Sequence, residues 1–173
     1  MAEFNERLVT SGGTRYFTPS VDTDANDLVV FNFTEPVEAF PQFRSRFFNL
    51  RWPENLNTDP IGYLVTGCAY EDQSYDVAEN NHIGVARRSV LCTLDDEQPS
   101  DRALVRLLSR QPLGFEPDGM SGGSAFVVHQ DSSGFWVDFA GIVVRGGGTG
   151  LHIVKAVVVY EFLKTCAWPQ REA

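Results

Sequence analysis

Residues 117–126, PDGMSGGSAF, set one serine among three glycines and then run into apolar chain. A Gly-x-Ser-Gly-Gly turn suits acyl transfer, which needs a hydroxyl exposed on a rigid bend and backbone N–H groups aimed at the developing oxyanion. In that chemistry Ser121 is the nucleophile. Gly119, lacking a Cβ, can turn its own N–H toward a substrate, and Gly122 and Gly123 let neighbouring backbone pass close behind the bend. Preorganised donors of this kind are worth roughly 3 kcal/mol in the transition state. The bland alternative is a glycine-rich hairpin turn ahead of a strand at Ser124, and the pentapeptide alone does not separate the two.

Other chemistries are poorly served. Cys68, Cys92 and Cys166 are widely spaced and odd in number, so reduced thiols in a cytoplasmic compartment are expected. No CxxC or Cys/His cluster has metal-ligand spacing, and neither a metal nor a cofactor is expected. The stretch RGGGTG, 145–150, lacks the lysine and following helix of a phosphate cradle and is assigned as a turn. LDDEQPSD, 94–101, is assigned as a solvated loop. A net charge of −9 disfavours nucleic-acid or anionic-membrane partners, which need a basic face. No apolar run approaches the ~20 residues of a membrane-spanning helix. The opening MAEFNERLV has no apolar centre of the kind a secretory signal carries.

The elements that must hold the bend are short and β-rich. Strands are predicted over 7–10, 15–18, 28–33, 62–69, 83–93, 124–129, 135–144 and 151–154, separated by turn chemistry such as SGG and HQDSSG. Residues 100–108 are ambiguous: Ser100 is a candidate helix cap, yet 103–108 also suits a buried strand. VVVYEFLK, 157–164, is predicted as a C-terminal helix from the spacing of Val158, Phe162 and the Tyr160/Leu163 pair. A chain of 173 residues with 43% hydrophobic and 21% charged content is one soluble domain or a pair of half-domains, and RWPENLNTDP, 51–60, is its one plausible linker.

GMSGGSAF resembles the active-serine segment of the trypsin/chymotrypsin-like serine peptidases, especially the bacterial members that lack disulfides. Further on, FAGIVVRGGGTGLHIVKAVVVYEFL is similar to that family's next signature: a Gly-Ile-Val strand, a Gly-rich turn, a second strand and a C-terminal helix. Upstream, DANDLVVFNF resembles the segment that carries the triad aspartate, with Asp27 at the matching position and Asp24 as the fallback.

The resemblance implies an all-β, trypsin-like double β-barrel with a C-terminal helix and an incomplete first barrel. Residues 1–50 are then the remnant of the first barrel, 51–60 the linker, and 61–173 the second barrel with its nucleophile and helix. It resolves 103–108 toward a strand. It implies a serine endopeptidase in which Ser121 attacks, the N–H groups of Gly119 and Ser121 hold the oxyanion, and Asp27 orients a histidine. Val144, Arg145 and Gly146 become an edge that pairs with an extended polypeptide substrate, with Gly150 in the far wall of the specificity pocket. Phe115 falls at the pocket floor, so cleavage after small or apolar residues is expected rather than after Arg or Lys. Met120 stands where digestive members carry an aspartate that binds a newly freed N-terminus, and no activation of that kind is expected.

The chain departs from the family at its base. The family's order is His, Asp, Ser, but His82, His129 and His152 all follow Asp27, and residues 1–26 contain no histidine. His152 is expected to be a pocket-wall residue, His129 to face solvent and His82 to be remote. A serine without a base is a poor nucleophile. Two readings follow. In one the chain is a peptidase domain, inactive alone, whose histidine lies on an N-terminal stretch missing from it. In the other it is a degenerate member that binds extended peptide without cutting it. The intact serine turn favours the first. Phe31, Phe33, Phe40, Phe43, Phe47 and Phe48 are a heavy aromatic load for so short a first part, and self-association is expected.

Overall fold

The computed structural model describes residues 13–16, 28–50, 60–76 and 82–166. The chain divides into two units, Met1–Leu50 and Arg51–Ala173. The strand expected over 7–10 lies outside the described residues.

In the first unit β1 (Gly13–Tyr16) pairs antiparallel with β2 (Val29–Asn32). A one-and-a-half-turn helix, α1 (Thr34–Ala39), follows, and then a 3₁₀ turn over Pro41–Arg46. The helix was not expected from the sequence, since six residues carry too little periodicity to read. Asn32 starts it by accepting the Thr34 N–H at its Oδ1, 2.9 Å away. Pro36 is tolerated because it sits in the first turn, where backbone donors have no intrahelical partner. Phe33 and Phe47 pack with ring centroids 6.2 Å apart, and Phe40 and Phe43 meet edge to face at 6.0 Å. Phe31, Phe47 and Phe48 nevertheless remain about half exposed.

The second unit is built from β3 (Gly62–Gly67), β4 (Gln73–Asp76), β5 (His82–Val85), β6 (Arg88–Leu94), β7 (Leu104–Ser109), β8 (Ser124–Asp131), β9 (Gly134–Gly147), β10 (Gly150–Lys155) and α2 (Ala156–Thr165). Six of these strands close an antiparallel barrel in the order β10-β7-β6-β3-β8-β9, while β4 and β5 pair separately. Closure removes most of the open edges that an isolated sheet would present, although β9 runs on to Gly147 past the end of its pairing with β8 at Ile142. The fold is therefore all-β with a C-terminal helix. Val65, Val90, Cys92, Leu107, Ala125, Val143, Leu151 and Ile153 fill the barrel. The period of two along β6 explains the choice, sending Val90 and Cys92 inward and Leu91 outward. The helix α2 buries Val159 and Phe162, three positions apart on one face. Among the described residues no helix is long and apolar enough to cross a membrane.

Several elements of this unit differ from expectation. The single strand predicted over 83–93 is two strands, β5 and β6, interrupted at Ala86 and Arg87. Neither residue is a turn former, so the sequence carries no sign of the break. What holds it is a long-range bond from the Ala86 N–H to the Asp72 carbonyl, 3.3 Å. The strand β4 was not expected, and β9 extends beyond 135–144 at both ends. That long strand is bent by two bulges, which leave Ala140 unmatched against β8 and Val144 unmatched against β10.

Candidate active site

The segment from Pro117 to Gly123 is not a hairpin turn. The strand before it, β7, pairs with β6 and β10, whereas β8 after it pairs with β3 and β9. The segment is instead a double turn fastened to two parts of the barrel. The Met120 N–H donates to Pro117 O at 3.1 Å and the Gly123 N–H to Met120 O at 2.9 Å. Reciprocal bonds of 2.8 Å join Gly122 N–H to Val143 O and Val143 N–H to Gly123 O. On the other side the Tyr70 N–H donates to Asp118 O at 2.6 Å. Met120, 1% exposed, drives its side chain into the core against Gly67 and so throws Ser121 outward.

Glycine is required at two points for different reasons. Gly119 has φ +88°, and a Cβ there would stand 2.7 Å from Tyr70 N and 3.0 Å from Cys68 O. At Gly123 a Cβ would stand 2.1 Å from Thr66 O, because β3 runs directly behind the bend. Among the described residues neither the Gly119 N–H nor the Ser121 N–H donates to a backbone carbonyl. Ser121 is exposed, and its Oγ donates to the Val144 carbonyl at 2.9 Å. The bulge that leaves Val144 unmatched is what frees that carbonyl. An exposed hydroxyl, two N–H groups with no backbone acceptor among the described residues and the Val144 carbonyl thus belong to one short bend and the strand beside it; the base that acyl transfer also needs is not part of this set.

The remaining expected residues are placed as follows. Gly146 lies over Pro117, with the site of its missing Cβ 2.9 Å from Pro117 Cβ, and Arg145 beside it is exposed. Gly150 pairs with Gly147 and Leu108 and packs on Arg106, whose Nε is 3.1 Å from the site of its missing Cβ. Phe115 is half-buried with the Arg88 guanidinium 4.7 Å from its ring centroid. It lines a groove of about 520 Å³ together with Val90, Arg110 and Leu113, and neither Ser121 nor Val144 is in that lining. Asp27 and Asp24 lie outside the described residues, as does the side chain of His82.

His129 does not face solvent as expected: it is 3% exposed. Its strand continues to Asp131, and the cross-strand partner Trp136 covers the imidazole, with centroids 5.2 Å apart and planes at 12°. Its Nε2 is 3.3 Å from Asp138 Oδ2. His152 sits on β10 opposite Arg145. The hydrogen bond that Ser121 Oγ makes goes to the Val144 carbonyl and not to an imidazole.

Three residues that the sequence did not single out support the bend. Tyr70 and Asp72 begin and end a 3₁₀ turn against Gly119, and Arg88 on β6 forks Asp72 with Nε–Oδ2 and Nη2–Oδ1 distances of 2.5 and 2.7 Å. The Arg88 hydrogen bond holds the Asp72 carboxyl below its ordinary range, and the same bond raises the guanidinium. No local pattern announces a pair sixteen residues apart. Burial pushes the Cys92 thiol up to about 11, so it offers no competing nucleophile at neutral pH. Among the described residues no three His, Cys, Asp or Glu side chains converge as metal ligands would. Neither a protein-family model, nor a curated protein, nor a solved structure matches the chain.

Proposed function

We propose that residues 61–173 are the second barrel of a trypsin-like serine endopeptidase domain, a double β-barrel in its complete form, with Ser121 as nucleophile. The observation that carries this reading is the bend at 117–123, which turns a serine hydroxyl outward and in which the N–H groups of Gly119 and Ser121 have no backbone acceptor among the described residues. In the reaction Ser121 Oγ attacks the scissile carbonyl carbon and passes its proton to a base. The N–H groups of Gly119 and Ser121 receive the negative oxygen, and the C–N bond then breaks with the proton delivered to the leaving amine. Water releases the acyl group from Ser121 by the same steps. Asp27 would orient the histidine base that the resemblance implies. The Val144 carbonyl, with Arg145 and Gly146, would pair with the substrate backbone by strand addition.

The second reading is a binding module that captures extended peptide at that edge without cutting it. It is favoured by one observation: the Ser121 hydroxyl donates its hydrogen bond to the Val144 carbonyl, which is not a base that could take its proton. The two separate by covalent labelling. A fluorophosphonate incubated with the full chain should label Ser121 slowly, and at least about tenfold faster when imidazole is supplied as an external base. Peptide mapping by mass spectrometry locates the label, and Ser121→Ala should abolish it. Absence of Ser121 labelling with imidazole present would leave only the binding module.

The exposed phenylalanines of the first unit also support self-association of the chain. Analytical ultracentrifugation should give a concentration-dependent mass. A monomer across the accessible concentration range would remove this part of the proposal.

A further inference from the structure

We infer that Asp72 and Arg88 are positioning residues for the serine bend, the ion pair between Arg88 on β6 and Asp72 at the end of the Tyr70–Asp72 turn holding the segment from Phe115 to Gly119 at both of its ends. The catalytic consequence rests on the peptidase reading, but the positioning itself does not.

Within the bend, the backbone bonds from Met120 N–H to Pro117 O and from Gly123 N–H to Met120 O close the two turns but do not engage the Gly119 N–H. The bend's buried residue, Met120, is apolar and makes no directed side-chain contact that would orient the flanking peptides. Gly119 keeps its left-handed backbone because the Tyr70–Asp72 turn stands against it, joined by the Tyr70 N–H to Asp118 O bond of 2.6 Å. A three-residue 3₁₀ turn is too short to persist by its own hydrogen bond. The Ala86 N–H to Asp72 O bond of 3.3 Å ties its last peptide, and Arg88 fixes its side chains through the two-pronged bond to Asp72 and a third contact to Glu71 Oε1 at 3.2 Å. A guanidinium fork locks both distance and direction, which a lysine point charge would not. The face of the same guanidinium lies 4.7 Å from the Phe115 ring centroid, which restrains the upstream end of the segment. The base of the device is Arg88 itself, anchored in a closed barrel strand through its pairing with Gly67. Release of the pair lets the turn move, frees the Asp118 carbonyl and allows the Gly119 peptide to rotate away from its present aim.

The experiment is amide hydrogen exchange on the full chain and on Arg88→Met, Arg88→Lys and Asp72→Asn. The amides of Tyr70 and Met120 report the segment, while those of Ser109 and Lys155, bonded to Thr149 O and Ala103 O, report the barrel. Exchange at Tyr70 and Met120 should rise about tenfold in Arg88→Met and Asp72→Asn with Ser109 and Lys155 unchanged. Arg88→Lys, keeping charge without the fork, should restore little of the protection. In the parent chain Tyr70 protection, corrected for intrinsic exchange, should fall as acid protonates Asp72, and this dependence should vanish in Asp72→Asn. Unchanged exchange at Tyr70 and Met120, or a rise shared equally by Ser109 and Lys155, would overturn the inference. None of these readouts needs Ser121 to react, so failure of the labelling experiment and failure of the positioning device are seen separately. Where the parent chain labels, Arg88→Met should label about tenfold more slowly.

Discussion

Gly123→Ala is expected to destabilise the barrel more than any surface change in the serine segment. The added methyl would meet Thr66 O at 2.1 Å, Met120 O at 2.8 Å and Gly67 Cα at 3.0 Å. All three are backbone atoms, so no side-chain rotation relieves the overlap. Either β3 or the bend must shift, and with it the paired bonds between Gly122, Gly123 and Val143. Overpacking of this severity costs ~3 kcal/mol or more, set against a total stability of roughly 5–15 kcal/mol for an ordinary domain. At this chain size that corresponds to a fall in melting temperature of about 6–12 °C. Gly147→Ala is the control, because nothing lies within 4 Å of a Cβ there and its change should stay within about 0.5 kcal/mol. Thermal melts followed by far-UV circular dichroism make the comparison. Equal melting of Gly123→Ala and Gly147→Ala would mean that the bend is not seated on β3.

The second large effect is on reactivity rather than on folding. Gly119→Ala would force an alanine to φ +88° with its methyl 2.7 Å from Tyr70 N and 3.0 Å from Cys68 O. The strain of that backbone region is about 1–2 kcal/mol, and the peptide at 119 is expected to rotate to escape both strain and overlap. Rotation re-aims the Gly119 N–H, one of the two donors proposed for the oxyanion. Loss of one oxyanion donor slows acyl transfer by roughly 100-fold or more, so imidazole-assisted labelling of Ser121 should fall by that order while the barrel still melts cooperatively. Gly122→Ala separates the causes: it has a similar φ of +86° but nothing within 4 Å of its Cβ site. It should carry the strain alone and keep most of the labelling. Undiminished labelling of Gly119→Ala would remove the Gly119 N–H from the proposed oxyanion site.

What the chain reveals in one dimension is what local physics controls. By itself the sequence determined the β-rich character, the terminal helix and the glycine-framed serine, because strand period, helical spacing and the lack of a Cβ act within a few residues. Residues 103–108 were ambiguous for the same reason, since an apolar run of that length suits helix and strand alike until β7 finds β6 and β10 on either side. Tertiary structure alone decided the closing order of the barrel and the break at Ala86 and Arg87. It also decided the covering of His129 by Trp136 and the fork from Arg88 to Asp72. Each of those depends on which faces meet across distant segments. An imidazole at the end of a strand reads as solvent-facing until an indole from the neighbouring strand lies on it, and an arginine reads as surface until a carboxylate is brought to its fork.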